Sequence, residues 1–183
     1  MIEKMKEHNR RYVETGAYKE HQACKLPAKK TAIVTCMDTR LLTLLPTAIG
    51  IKNGDVLMIK NASGLVVNPY SDSMRSLLIG IYELGVERVM IIAHTNCGVE
   101  GLKAEEMYET MKKRGIKEET LEEIKAAGFD LDNWFTGFDH IEDAVRESVE
   151  VVAQHPLLPA GIGVSGYVMD TVTGELREIV AEK

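Results

Sequence analysis

Two short clusters in this sequence bring together groups that hold a soft metal ion and activate water. They are Cys36-Met37-Asp38-Thr39-Arg40 and His94-Thr95-Asn96-Cys97-Gly98. Zinc favours thiolate and imidazole, and a catalytic zinc keeps three protein ligands and one position for water. His94 and Cys97 stand three residues apart, so both can reach one ion where a strand turns toward a helix. Cys36 supplies a third corner if its strand lies beside that of His94. Two buried cysteines and a core histidine would account for each residue singly. They would not account for two such clusters, each placed directly after an apolar run. One zinc ion per subunit, on Cys36, His94 and Cys97, is therefore expected.

Asp38 and Arg40 add a second layer. They are two residues apart, which puts their side chains on one side of an extended segment. A bidentate Arg40 would keep Asp38 ionised and fixed. Asp38 could then accept a hydrogen bond from the zinc-activated hydroxide and aim its lone pair at a carbon centre. A bare surface ion pair would contribute almost nothing, but this pair directly follows a candidate ligand. Zinc lowers the pKa of bound water to about 7 in favourable cases. Two thiolates make that water less acidic than imidazoles would, so activity should rise toward mildly alkaline pH.

These residues need a scaffold that brings two strand ends together. Thr31–Cys36 (TAIVTC) and Arg88–Ala93 (RVMIIA) are β-branched apolar runs that read as buried strands. Val56–Ile59 follows the turn signal Asn53-Gly54-Asp55, and Gly161–Met169 and Glu175–Val180 are further strands. Asp170–Gly174 suits a hairpin loop. Apolar residues at helical spacing predict helices over 73–84 and 138–154, the first stopped by Gly85 and the second by His155-Pro156. Residues 99–113 and 118–127 also read as helical. Strands separated by helices imply parallel pairing with right-handed crossovers. The expected fold is α/β: a mostly parallel central sheet flanked by helices, with an antiparallel edge strand from a C-terminal hairpin, in one domain over 1–183. Ligands in such sheets bind at the carboxyl ends of the strands, where both clusters lie. Residues 2–19 predict a helix with a weak apolar stripe (Met5, Tyr12, Val13) and little core to bury.

Composition narrows the function. The chain has 183 residues, is 45% hydrophobic and 27% charged, and carries a net charge of -6. That is ordinary for a folded domain with one substantial core. Excess negative charge repels phosphate backbones, so no nucleic-acid partner is expected. No apolar run approaches the ~18 residues that cross a bilayer, and no signal-like segment opens the chain, so a cytoplasmic location without membrane contact is expected. The cytosol is reducing, and an odd count of three cysteines argues against a disulfide framework. Cys24 lies in a polar stretch with no partner motif and reads as an ordinary thiol.

With Lys60-Asn61-Ala62-Ser63-Gly64 between them, the two clusters resemble those of the β-class carbonic anhydrases. The resemblance covers residues 28–102 well and extends more loosely through His155-Pro156 and the final hairpin; residues 103–137 are poorly anchored to it. It implies zinc on Cys36, His94 and Cys97, a catalytic Asp38–Arg40 dyad, and a substrate pocket lined by Lys60, Ala62, Ser63, Gly64 and Gly98. It implies carbon dioxide and bicarbonate as substrates, and a homodimer or homotetramer in which an N-terminal helical arm, residues 1–27, packs on the partner. Backbone near Ser63 and Gly64 is expected to bind a substrate oxygen. Lys60 stands where many plant-type members carry arginine, which places the chain nearer the compact, archaeal-type subgroup. The Gln and Tyr of the plant-type pocket have no clear counterpart. Relatives on this scaffold hydrolyse carbon disulfide or carbonyl sulfide. A third reading is a non-catalytic zinc protein whose site Asp38 closes. His21, His140 and His155 are candidate proton shuttles by residue type alone.

Overall fold

The computed structural model describes residues 1–182. Five strands form one sheet: β1 (Thr31–Cys36), β2 (Val56–Asn61), β3 (Arg88–His94), β4 (Gly163–Met169) and β5 (Leu176–Val180), in the order β2-β1-β3-β4-β5. The pairs β1–β2, β1–β3 and β3–β4 are parallel, and β4–β5 is antiparallel. The mostly parallel sheet with an antiparallel edge is thus as the sequence pattern predicts. Every residue of β1 is buried, which is why TAIVTC lacks polar alternation: a central parallel strand is covered on both faces.

Seven α-helices complete the chain: α1 (Ile2–Glu14), α2 (Leu44–Ala48), α3 (Asp72–Leu84), α4 (Ala104–Lys113), α5 (Glu118–Ala126), α6 (Leu131–Phe135) and α7 (Ile141–Ala153). Two packed clusters sandwich the sheet. One joins Ala32, Val34, Val89, Ile91 and Val164 to Leu77 and Ile81 of α3 and to Val145, Val149 and Val152 of α7. The other joins Ile33, Ile92 and Met169 to Leu41 and Leu45, and takes in Cys36 and Cys97. Ser71 caps α3 by accepting from the Met74 amide, and α7 buries the stripe its spacing predicts.

Several boundaries differ from the sequence reading, each for a local reason. The helix expected over 2–19 ends at Glu14, because Gly16 takes φ +73, and a 3-10 turn over Ala17–His21 follows. The helix expected over 99–113 begins only at Ala104. Residues before it are held elsewhere: Gly101 N–H donates to Phe138 O, and Gly137 N–H donates to Leu102 O. The same pairing delays α7 to Ile141. Helices α2 and α6 and a 3-10 turn over Thr39–Leu42 were not expected. Among the described residues no helix is long and apolar enough to cross a membrane.

From β1 the chain passes to β2 on one side and then to β3 on the other. Crossovers therefore diverge at the β1/β3 boundary, the switch point where open α/β sheets leave a crevice. Thr35 pairs with Ile92, Cys36 with Asn61 and His94 with Met169, so the carboxyl ends of four strands share one rim.

Candidate metal centre

Cys36 ends β1 and His94 ends β3, while Cys97 lies in the turn that follows. One ligand atom from each lies within 4.8 Å of the other two, and all three residues are buried. The pairing of β1 with β3 brings Cys36 to His94 across the sheet, as the two strand ends require. Asn96 at φ +54 makes the tight turn that returns Cys97 toward its own strand end.

His94 carries the strongest sign that an ion belongs here. Its side chain is fully buried. Nδ1 lies 2.9 Å from the Thr95 carbonyl, to which it must donate, leaving Nε2 as the lone-pair nitrogen. Among the described residues, Nε2 is the buried side-chain polar atom with no hydrogen-bond partner. Native structures rarely leave such an atom orphaned without a ligand for it. Two soft sulfurs and a neutral imidazole suit zinc, and a carbonyl behind the imidazole is the usual support for a ligating histidine. Burial pushes the Cys97 thiol up to about 11, with Cys36 beside it adding to the rise. A metal binding here displaces the proton from that thiol.

Asp38 and Arg40 meet, but not along an extended strand. Asp38 caps the 3-10 turn over Thr39–Leu42, and its Oδ1 accepts from the Arg40 amide at 2.8 Å. That turn folds Arg40 back over Asp38: Nε donates to Oδ1 at 2.9 Å and Nη2 to Oδ2 at 2.8 Å. The expected bidentate pair is present, with a capping turn in place of the expected extended geometry. Hydrogen bonds from Arg40 hold the Asp38 carboxyl well below the usual carboxylate range, although burial opposes them. Arg40 Nη2 also donates to Asn96 O at 2.8 Å, joining this pair to the turn that carries Cys97.

The segment after β2 lies against the first ligand. Asn61 accepts from Gly64 N–H at 2.8 Å and donates to Leu65 O at 2.7 Å and Ser73 Oγ at 2.9 Å. A Cβ on Gly64 would come within 2.5 Å of the Cys36 nitrogen. Ser63, buried beside it, has φ +83. These contacts make Ser63 and Gly64 a close wall behind Cys36. The Gly64 amide is committed to Asn61. Lys60, Ala62 and Gly98 are exposed. Of the shuttle candidates, His155 is buried with both ring nitrogens engaged, by Pro69 O and the Leu157 amide. His21 bonds Tyr12 in the N-terminal arm, and His140 precedes α7. Cys24 is exposed and unpaired. Sequence reasoning missed Asn61 as a clamp and missed Thr171, whose hydroxyl lies 3.3 Å from Arg40 Nη1.

The carbonic anhydrase family profile matches residues 31–176. The Bacillus subtilis (strain 168) protein YtiB, provisionally named as a carbonic anhydrase, is 45% identical over 174 residues, 95% of this chain and 93% of its own length. A carbon disulfide hydrolase of Acidithiobacillus thiooxidans is 29% identical over 155 residues, 79% of this chain and 74% of its own. Among solved structures, the β-carbonic anhydrase isoform I of Trichomonas vaginalis superposes with a TM-score of 0.88 at 32% identity, covering 100% of this chain and 99% of that one.

Proposed function

This chain belongs to the β-carbonic anhydrase family, and we propose that it catalyses the reversible hydration of carbon dioxide to bicarbonate with one zinc per subunit. The observation that carries the reading is the unpartnered His94 Nε2 between two buried cysteines, next to a carboxylate that Arg40 holds from two sides. Zinc on this donor set would supply a Lewis acid that brings the pKa of a water toward neutrality.

The chain's own residues then do the following. Cys36, His94 and Cys97 would hold the ion, and Asp38 Oδ2 lies 3.9 Å from the His94 donor atom. Asp38 stays ionised, so it can only accept a hydrogen bond. It would accept a hydrogen bond from the attacking oxygen and so turn that oxygen's lone pair toward carbon. Arg40 holds both Asp38 oxygens and would keep them from a bound ion. Asn61 fixes the wall of Ser63 and Gly64 behind Cys36, which limits the space around the reacting atoms. Lys60, Ala62 and Gly98, all exposed, would line the approach of the substrate. Stopped-flow measurement of carbon dioxide hydration on the zinc-replete protein is the test, and no acceleration over buffer overturns the reading.

The likeness to a carbon disulfide hydrolase supports a second reading, in which the same centre hydrolyses carbon disulfide or carbonyl sulfide. Sulfide release from either compound separates the two. A closed, non-catalytic site is the third reading, and the Arg40 clamp on both Asp38 oxygens argues against it. We further propose a homodimer or homotetramer in which α1 packs on a partner subunit. A cytoplasmic location is supported by the need of Cys36 and Cys97 to remain free thiols until metal binds.

A further inference from the structure

Thr171 lies in the turn between β4 and β5, 131 positions from Arg40, yet it touches both halves of the site. Its Oγ1 lies 3.3 Å from Arg40 Nη1, 3.4 Å from Thr95 O and 3.3 Å from Thr95 Oγ1. Its amide donates to Thr95 Oγ1 at 3.1 Å, and the Thr95 amide donates to Met169 O at 3.0 Å. The turn itself is fixed by Asp170, which accepts from the Val172 and Thr173 amides and from Thr173 Oγ1.

The direction of these bonds follows from the chemistry of the groups. A guanidinium has no lone pair, so Thr171 Oγ1 must accept from Arg40. Its single proton is then directed at Thr95. Thr95 O in turn receives the Nδ1–H of His94 at 2.9 Å. Asp38 takes the Nε and Nη2 edge of Arg40, and Nη1 is the edge left for Thr171. One hydroxyl thus ties the guanidinium that holds Asp38 to the carbonyl that orients His94.

We propose that Thr171 is a positioning residue: its hydroxyl fixes the far edge of Arg40 and the Thr95 carbonyl behind His94, so that the C-terminal hairpin sets the geometry between Asp38 and the metal ligand. The proposal rests on the carbon dioxide reading for its kinetic consequence, but its structural content is independent of that reading. The contact distances lie at the long end for hydrogen bonds, so the effect should be modest.

Thr171→Val keeps the side chain's shape and removes its hydroxyl, and Thr171→Ser keeps the hydroxyl. Two quantities are read. The first is the exchange rate of the Arg40 Nη1–H protons by NMR in the metal-free protein, which Thr171→Val should raise and Thr171→Ser should leave near the parent value. The second is kcat and KM for hydration in the zinc-replete protein. Thr171→Val should lower kcat by about 2- to 10-fold with KM unchanged, and Thr171→Ser should restore it. Thr171→Ala takes the place of the valine variant if that one does not fold. An unchanged Arg40 exchange rate on loss of the hydroxyl overturns the proposal, as does a serine variant as impaired as the valine. An inactive parent protein would count against the hydration reading alone, because the Arg40 signal still judges Thr171.

Discussion

His94 Nε2 lies 3.9 Å from Asp38 Oδ2, too far for a hydrogen bond, although these are a buried imidazole and a half-buried ionised carboxylate side by side. The reason is Arg40, which holds both Asp38 oxygens and draws the carboxylate off the histidine. His94 cannot compensate by turning, since its Nδ1 is bound to Thr95 O. The two residues are therefore each fixed by a different neighbour, with a space between them. An orphaned buried nitrogen costs about 1–3 kcal/mol, a cost that a bound metal ion would remove.

The first prediction concerns that ion. Purified protein should hold about one zinc per subunit, and Cys36→Ser, His94→Ala and Cys97→Ser should each lose most of it. Chelation should lower the thermal midpoint of the parent protein, because the metal binds the folded chain and not the unfolded one. Metal analysis beside thermal denaturation checks both points. Stoichiometric zinc retained by His94→Ala and Cys97→Ser would remove these residues from the ligand set.

A second prediction follows from the protonation of Cys97. Burial pushes this thiol up to about 11, so at neutral pH the metal-free protein carries the proton there. Metal and proton then compete for one sulfur. Apparent zinc affinity should rise with pH up to that value, by about tenfold per unit for each proton released. Zinc added to metal-free protein in weak buffer should release at least about one proton per ion from this thiol. A pH-independent affinity between pH 6 and pH 8, roughly the neutral range, would contradict it.

The fold and the ligands were legible in the sequence because both depend on short-range pattern. TAIVTC is buried throughout and RVMIIA nearly so, so each reads as a strand without knowledge of its neighbours; the first ends in the ligand Cys36 and the second is followed directly by His94. The turn over Thr39–Leu42 was not legible, because an aspartate two residues before an arginine fits an extended ion pair as well as a helix cap. Residues 99–103 carry helical composition, but pairing of residues 100–102 with 137–138 overrides it. Thr171 left no local signal at all: its partner Arg40 is set beside it only when the hairpin closes over the β1/β3 rim.

Gly64 offers a test of the wall behind Cys36. Its φ is +75, and an added Cβ would meet the Cys36 nitrogen at 2.5 Å and the Thr35 carbonyl carbon at 2.7 Å. Backbone cannot move aside as a flexible side chain can. Gly64→Ala should cost about 2–4 kcal/mol of stability and weaken zinc binding with it. Gly50→Ala is the control: φ is +68, but nothing lies within 4 Å, so only the conformational cost of about 1–2 kcal/mol applies. Denaturant midpoints of the two variants check this, and equal losses would mean that the contact with Cys36 is unimportant.

The N-terminal helix carries a fourth prediction. None of the residues of α1 is buried, and Ile2, Met5 and Val13 are 65%, 62% and 56% exposed. Apolar side chains left in water along one helix gain by covering one another's counterparts on a second copy. Light scattering should give at least a dimer, and removal of residues 1–14 should lower the mass or weaken the assembly. A single species near the chain mass of 20.3 kDa would give α1 another role.

The last prediction separates the Asp38–Arg40 pair from the metal. Neither residue is among the three buried donors, so Asp38→Ala and Arg40→Ala should both keep zinc. Asp38→Ala removes the acceptor that orients the attacking oxygen. Loss of one such contact commonly costs on the order of 2–4 kcal/mol, roughly 30- to 1,000-fold in rate. Arg40→Ala should act in the same direction by a different route. It frees Asp38 Oδ2, now 2.8 Å from the guanidinium, and leaves Oδ1 with the backbone amide of position 40 alone, while Oδ2 lies only 3.9 Å from the His94 nitrogen. A freed Asp38 can therefore swing away or occupy the fourth metal position. The double variant should be little worse than the worse single, since both changes disable one unit. Stopped-flow hydration on zinc-replete proteins decides between outcomes. Near-normal turnover in Asp38→Ala would leave the pair a structural cap of the 3-10 turn, and additive losses in the double variant would assign the two residues separate roles.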